Sequence, residues 1–163
     1  MAFSPVSIST TALRFSTSWK TIVILTDVNI LIYAHREDAA DHRRFREWLE
    51  GVVASPEAFG VADLVLSGFV RVVTHPRIFN PPTPLSRAIA FCDFLRNQPN
   101  AVPIAPGDRH WAIFTALCSG ARATGNLVPD AYFAALAIES GSEWITTDRD
   151  YSRFPGLRWR HPF

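Results

Sequence analysis

Lysine is all but missing from this chain. Lys20 is the single lysine among 16 basic residues, the others all being arginine. A chain poor in Lys and rich in Ala and Arg reflects a GC-rich genome, and arginine also suits bidentate phosphate contacts better than lysine does. Excess charge is missing too: 16 basic residues stand against 15 acidic ones, for a net charge of +1, so no overall field advertises a polyanionic partner. Cysteine is scarce. Cys92 and Cys118 lie in helical patterns with no paired spacing, which excludes a disulfide scaffold and predicts a reduced, cytoplasmic protein. No apolar run approaches the roughly 20 residues needed to span a bilayer, so no membrane association is expected. There is no glycine-rich phosphate loop and no G-x-S-x-G elbow.

What is present is a globular composition, 48% hydrophobic and 19% charged over 163 residues, enough for one domain with a sizeable core. Residues 1–20, "MAFSPVSISTTALRFSTSWK", stand apart. They are Ser/Thr-rich, contain no acid and lack the apolar region of a secretory signal, and they read as a disordered extension or a mis-called start. The domain is expected to span 21–163.

Within it, short apolar runs alternate with helical patterns. Ile22 to Leu25 predict a strand buried on both faces, ended by Thr26 and Asp27 and followed by a helix. Phe45, Trp48, Leu49, Val52 and Val53 fall at helical spacing from Asp41 to Val53. "EAFGVADLVLSGFVRVVTH" predicts a short strand, a turn and a helix stopped by Pro76. Thr83 is placed to cap the next helix, with Pro84 at its first position and Leu85, Ile89, Cys92 and Leu95 along it. "NAVPIAPGD" predicts a second core strand entering a helix that carries Trp111, Phe114, Leu117 and Cys118 on one face. The apolar helix in "VPDAYFAALAIESG" should end at Gly141, a residue that tolerates a left-handed cap. "EWITT" supplies a third strand and "LRWRHPF" a last one. Strands alternating with helices predict an α/β fold: a three-layer sandwich with a central, mainly parallel sheet flanked by helices.

In such folds ligands bind where strands end and helices begin. Asp27 follows the first strand, Asp130 opens the apolar helix, and Asp148 and Asp150 follow "EWITT". Each has a bland reading: Asp130 directly after Pro129 suits helix capping, and Asp150 suits a solvated turn. Together they suggest a cation site, because converging carboxylates raise one another's pKa unless a cation neutralises them. Hard oxygen ligands without a His/Cys cluster point to Mg²⁺ or Mn²⁺, whose usual work in acidic sites is phosphodiester hydrolysis. "TDVN" lacks the second Asp of aspartyl-phosphatases, since Asn29 stands there. His42, His75 and His110 are scattered, expected at surfaces or helix ends, and none is assigned a catalytic role. Arg149 and Arg153 flank the last acids, where they either hold substrate phosphates or balance the carboxylates.

The blocks "TDVNILIYA", "GFVRVVTHPRIFNPP", "GNLVPDAYFAALAIESG" and "ITTDRDYSRFPGLRW", taken in order, resemble the PIN-domain ribonucleases, in particular toxins of VapC type. The resemblance covers about residues 21–163. It implies a Mg²⁺- or Mn²⁺-dependent endoribonuclease, the toxin of a type II toxin–antitoxin pair, working as a homodimer and neutralised by a small cognate antitoxin. It makes Asp27, Asp130 and Asp148 the catalytic, metal-binding acids, with Asp150 as a lesser contributor and Asn29 and Thr147 in support. It also implies that an antitoxin segment or a second copy covers a groove on the helices bearing Phe45, Trp48 and Leu49. One position departs from the pattern: Gly68 stands where many members carry a glutamate, and Asp63 is too far away to replace it. That departure supports a second hypothesis, a catalytically weak PIN-fold module that binds RNA or protein. A small-substrate metal phosphatase ranks third, since no specificity pocket is legible.

Overall fold

The computed structural model describes residues 21–163, so the expectation for residues 1–20 lies outside the described residues. Five strands form one sheet in the order β3-β2-β1-β4-β5, and every pairing is parallel. The strands are short: β1 Ile24–Thr26, β2 Phe59–Val61, β3 Ala101–Pro103, β4 Glu143–Ile145 and β5 Trp159–Arg160. Between them run α1 Val28–His35, α2 His42–Ala54, α3 Asp63–Val73, α4 Leu85–Arg96, α5 His110–Ala121 and α6 Leu127–Ser140. A 3-10 turn, Arg149–Arg153, joins β4 to β5. Parallel strands need crossovers, and these helices supply them, covering both faces of the sheet.

The centre of the core follows from composition. β1 occupies the middle of the sheet, and Leu25, Phe69, Trp144 and the small residues Ala131, Ala134 and Ala135 of α6 are buried around it. Alanines on the inner face of α6 let that helix lie close to the sheet. Gly141 caps its end at φ 70°, in the left-handed region that glycine enters without a Cβ clash. Cys92 is buried against α3, and burial pushes its thiol up to about 11, far from reactive.

The structure departs from the sequence expectations in five places, each for a tertiary reason. β3 lies at the sheet edge with Val102 and Pro103 exposed, so it is no core strand. Pro84, not Thr83, occupies the cap position of α4; buried Thr83 instead accepts a bond from the Arg36 guanidinium at 3.2 Å. α4 buries Ala88, Cys92 and Leu95 and leaves Leu85 and Ile89 in solvent. On α5, Trp111 is 69% exposed while Leu117 is buried. Finally, Phe45 and Leu49 are not a surface patch. They are 5% and 6% exposed, with Phe45 packed on Tyr33 and Phe163 at ring separations of 4.9 and 5.0 Å, because α2 folds back onto α1 and the chain's C-terminus covers it. Trp48 is only half-buried.

Candidate active site

The C-terminal ends of β1 and β4 lie side by side, tied by the Asp27 amide donating to the Ile145 carbonyl at 2.9 Å. That register alone brings residue 27 next to residues 146–148, more than a hundred positions later. Asp27 is buried and caps α1: its Oδ1 accepts from the Val28 amide at 2.7 Å. Its Oδ2 accepts from Thr146 Oγ1 at 2.6 Å, and the same Oγ1 accepts from the Asp148 amide at 3.0 Å. Asp148 in turn caps the 3-10 turn, its Oδ1 accepting from the Asp150 amide at 2.8 Å. One relay therefore runs from Asp150 through Asp148 and Thr146 to Asp27.

Asp130 enters from another side. It lies within the first turn of α6, where Asn126 holds the cap position, so the capping role read from Pro129-Asp130 is not the one it fills. The Tyr151 hydroxyl donates to its Oδ1 at 3.4 Å. Tyr151 is buried, tilted against Trp144 and edge to face with Phe154, so the 3-10 turn after β4 carries a phenol back to Asp130. Sequence reading missed both Thr146 and Tyr151. The hydrogen bond to Asp27 comes from Thr146, whereas among the described residues none joins Thr147 to an acid. The signal was present: in "ITTD" the strand's alternation points residue 146 to one side and residue 147 to the other.

The acids act on one another. Burial pushes Asp27 up to about 6, against the opposing bonds from Thr146 and Val28, with Asp130 and Asp148 adding like-charge repulsion. Burial and the charge of Asp148 likewise push Asp130 up to about 6, with Asp150 contributing and the Tyr151 bond opposing. The same carboxylates, after burial, hold the Tyr151 phenol far above its usual range, so it stays a neutral donor. The charges that raise Asp27 and Asp130 are those of neighbouring carboxylates.

Asp150 is more than half exposed and faces Arg153, whose Nε lies 3.5 Å from its Oδ1. Arg149 is exposed. Asn29, two residues beyond Asp27, has a buried Oδ1 with no hydrogen-bond partner among the described residues. Asp63 starts α3 and pairs with Arg96. Gly68 lies against the residue after Asp27: a Cβ built there would stand 3.0 Å from Val28 Cγ2, so Val28 fills the space a longer side chain would need.

Among the described residues, no three acidic, histidine or cysteine side chains are already gathered closely enough to grip an ion. The donor set nevertheless fits a hard divalent cation. It consists of carboxylate oxygens that share a single field, Asp27 and Asp130 are costly to ionise together, and the orphaned Asn29 acceptor lies two residues beyond Asp27 in the chain.

Comparison with known proteins supplies the family and supports the fold. The model of the PIN domain matches residues 24–157. VapC ribonuclease Mb2897 of Mycobacterium bovis is 44% identical over 140 residues, which is 86% of this chain and 95% of that protein. Ribonuclease VapC25 of Mycobacterium tuberculosis is 39% identical over 140 residues, 86% of this chain and 99% of its own length. Among solved structures, VapBC2 from Rickettsia felis bound to a DNA fragment from its promoter contains a chain matched at TM-score 0.63. That match is 14% identical and covers 86% of this chain and 98% of that one, so it speaks for the fold. VapBC-1 from nontypeable Haemophilus influenzae matches at TM-score 0.60 and 16% identity over the same shares.

Proposed function

Because the chain belongs to the PIN-domain family, in its VapC branch, we propose that it is a divalent-metal-dependent endoribonuclease. On this reading it is the toxin of a type II toxin–antitoxin pair in the cytoplasm, acts as a homodimer, and is held inactive by a small cognate antitoxin. The observation that carries the reading is the gathering of Asp27, Asp130 and Asp148, where burial and the neighbouring carboxylates push Asp27 and Asp130 up to about 6.

Asp27, Asp130 and Asp148 would hold Mg²⁺ or Mn²⁺, with Asp150 contributing from the rim. When bound, such an ion supplies a Lewis acid for a phosphodiester's developing negative charge and makes water more acidic. The chain's own groups prepare that place. Thr146 fixes the orientation of Asp27 and, through the Asp148 amide, the separation of the two strand-end acids. Tyr151 orients Asp130 without adding charge. Each Asp27 oxygen already accepts one hydrogen bond and keeps a lone pair for a cation. Val28 against Gly68 leaves three acids inside the cluster, a set suited to one ion. Arg149 and Arg153 flank the cluster where phosphates of a strand would run, and Arg153 would exchange its exposed pairing with Asp150 for one of them.

Purified protein incubated with a total RNA pool and Mg²⁺ or Mn²⁺ should release discrete fragments, EDTA should stop it, and co-purified antitoxin should suppress it. RNA binding with no cleavage under any divalent ion would replace this reading with that of a binding module.

A further inference from the structure

At the opposite ends of the strands from the acids, a groove of about 410 Å³ opens between α2 and the sheet. Its walls are Ile24 of β1 with Ile22 just before it, Phe59 of β2, and Trp48, Gly51 and Val52 from the later turns of α2. Ile24, Trp48 and Val52 pack against the core yet stay only partly buried, and Ile22 is 47% exposed. Trp48 and Val52 lie one helical turn apart on the same side of α2, so the apolar wall is continuous. Gly51 keeps the helix side open, because a Cβ built there meets nothing within 4 Å. The core is therefore uncovered at the point where the chain enters the domain. Residues 1–20 join the structure there, with Lys20 two positions before Ile22. They contain Phe15 and Trp19, and their charged side chains are Arg14 and Lys20 alone. The rim of the groove carries the opposite sign in Glu47 and Glu57. Glu47 already meets Arg43, and Arg160 on the same rim meets Glu143, whereas Glu57 pairs with no cation among the described residues.

We propose that the occupant of this groove is the chain's own first 20 residues, with Trp19 seated against Trp48, Ile22 and Ile24 and with Lys20 paired to Glu57. The proposal is independent of the ribonuclease reading. Reach favours it: an extended chain advances about 3.3–3.6 Å per residue, and Trp19 lies only three positions before Ile22. Tethering favours it too. A segment joined to the groove by its own backbone loses no translational freedom on docking, so one aromatic anchor and one ion pair do what a separate partner would need a larger surface to do. Burying an indole against a second one also removes from water the apolar surface that Trp48 and Ile22 leave exposed.

The test is hydrogen–deuterium exchange, read by mass spectrometry on peptides of the full 163-residue chain. Amides just before residue 21 are expected to exchange roughly ten-fold or more slowly than those of an unstructured chain, because the docked segment must open first. Gly51→Phe fills the groove from a helix position with room for the ring, and replacing a poor helix former there does not threaten the fold. It should remove most of that protection while β4 and α6 exchange as before. Trp19→Ser removes the anchor itself, lies outside the described domain, and should have the same effect. Glu57→Lys, at an exposed position, should remove part of the protection by repelling Lys20. Exchange at the unstructured rate in the unsubstituted chain overturns the proposal, as does protection that survives Gly51→Phe or Trp19→Ser. Protection that disappears on dilution, together with a dimer-to-monomer shift in sedimentation, also overturns it, since the groove would then hold a second copy.

Discussion

The carboxylates of α2 and those at the sheet end obey opposite rules. On α2, Glu47 and Glu50 each meet an arginine four residues earlier at 2.8 Å, with all four side chains more than half exposed. Asp63 pairs with Arg96, and Glu143 with Arg160 at 3.0 Å. At the ends of β1 and β4, Asp27, Asp130 and Asp148 meet hydroxyls, amides and each other. The exposed pairs are screened by water and contribute little to stability. The buried cluster does the reverse and spends stability, because like charges out of water repel. An arrangement selected for stability alone would have paired these acids as well. That contrast supports the proposed role of the sheet end and gives α2 a part in solubility and packing.

The sharpest way to break the contrast is Asp148→Asn. Asparagine retains the cap to the Asp150 amide but removes a charge from the cluster. RNA cleavage and growth arrest without antitoxin should be abolished, while the melting temperature of the metal-free protein should rise. Loss of activity together with loss of stability would show that Asp148 is an ordinary structural acid. Asp150→Asn should lower cleavage by only about 10–100-fold, since its side chain faces Arg153.

Thr146→Val is expected to cost a similar 10–100-fold in activity. It also strands Asp27 Oδ2 and the Asp148 amide, so urea titration should show a loss of about 1–3 kcal/mol. Thr146→Ser should restore both, because the hydroxyl alone carries the relay.

The pH dependence of stability follows from the two raised acids. Asp27 and Asp130 titrate at about 6 when folded against 3.8 ordinarily, so between those values the folded state binds more protons than the unfolded. Their contribution to the stability of the metal-free protein should therefore fall as pH rises through that window and level off above it, against the opposite slope of His35, whose pKa burial lowers. Thermal melts in EDTA at about pH 5 and about pH 7.5 read this directly, and Mg²⁺ or Mn²⁺ should stabilise the protein far more at the higher pH. A melting temperature that instead rises across the window would mean that the cluster is compensated by a cationic group.

The smallest effect is expected on α2. Arg46→Gln should leave the urea midpoint nearly unchanged and cleavage unaltered. A larger effect on activity would extend the functional surface to that helix.

Much of this was legible from residue order. The apolar run ending in Thr26-Asp27, the helix closed by Gly141 and the alternation of strands with helices define the parallel sheet and place acids at its edge. These are local signals, set by backbone conformation and by periods of two and 3.6 residues. What misled the reading was equally local. Phe45 and Leu49 read as surplus apolar surface because nothing nearby in sequence shows that Tyr33 and Phe163 will cover them. Thr83 read as a cap because its use by Arg36 is a contact across 47 positions.

The sequence by itself determined which donors this protein can offer at the strand ends, carboxylate oxygens without cysteine or histidine partners. Only the tertiary structure decided how those donors are held. The register of β1 against β4 sets Thr146 between Asp27 and Asp148, and the 3-10 turn swings Tyr151 under Asp130. Val28 closes the place beside Gly68 where a further acid would stand. Such contacts join residues up to 119 positions apart, and their geometry comes from strand pairing and helix packing, which no local pattern encodes.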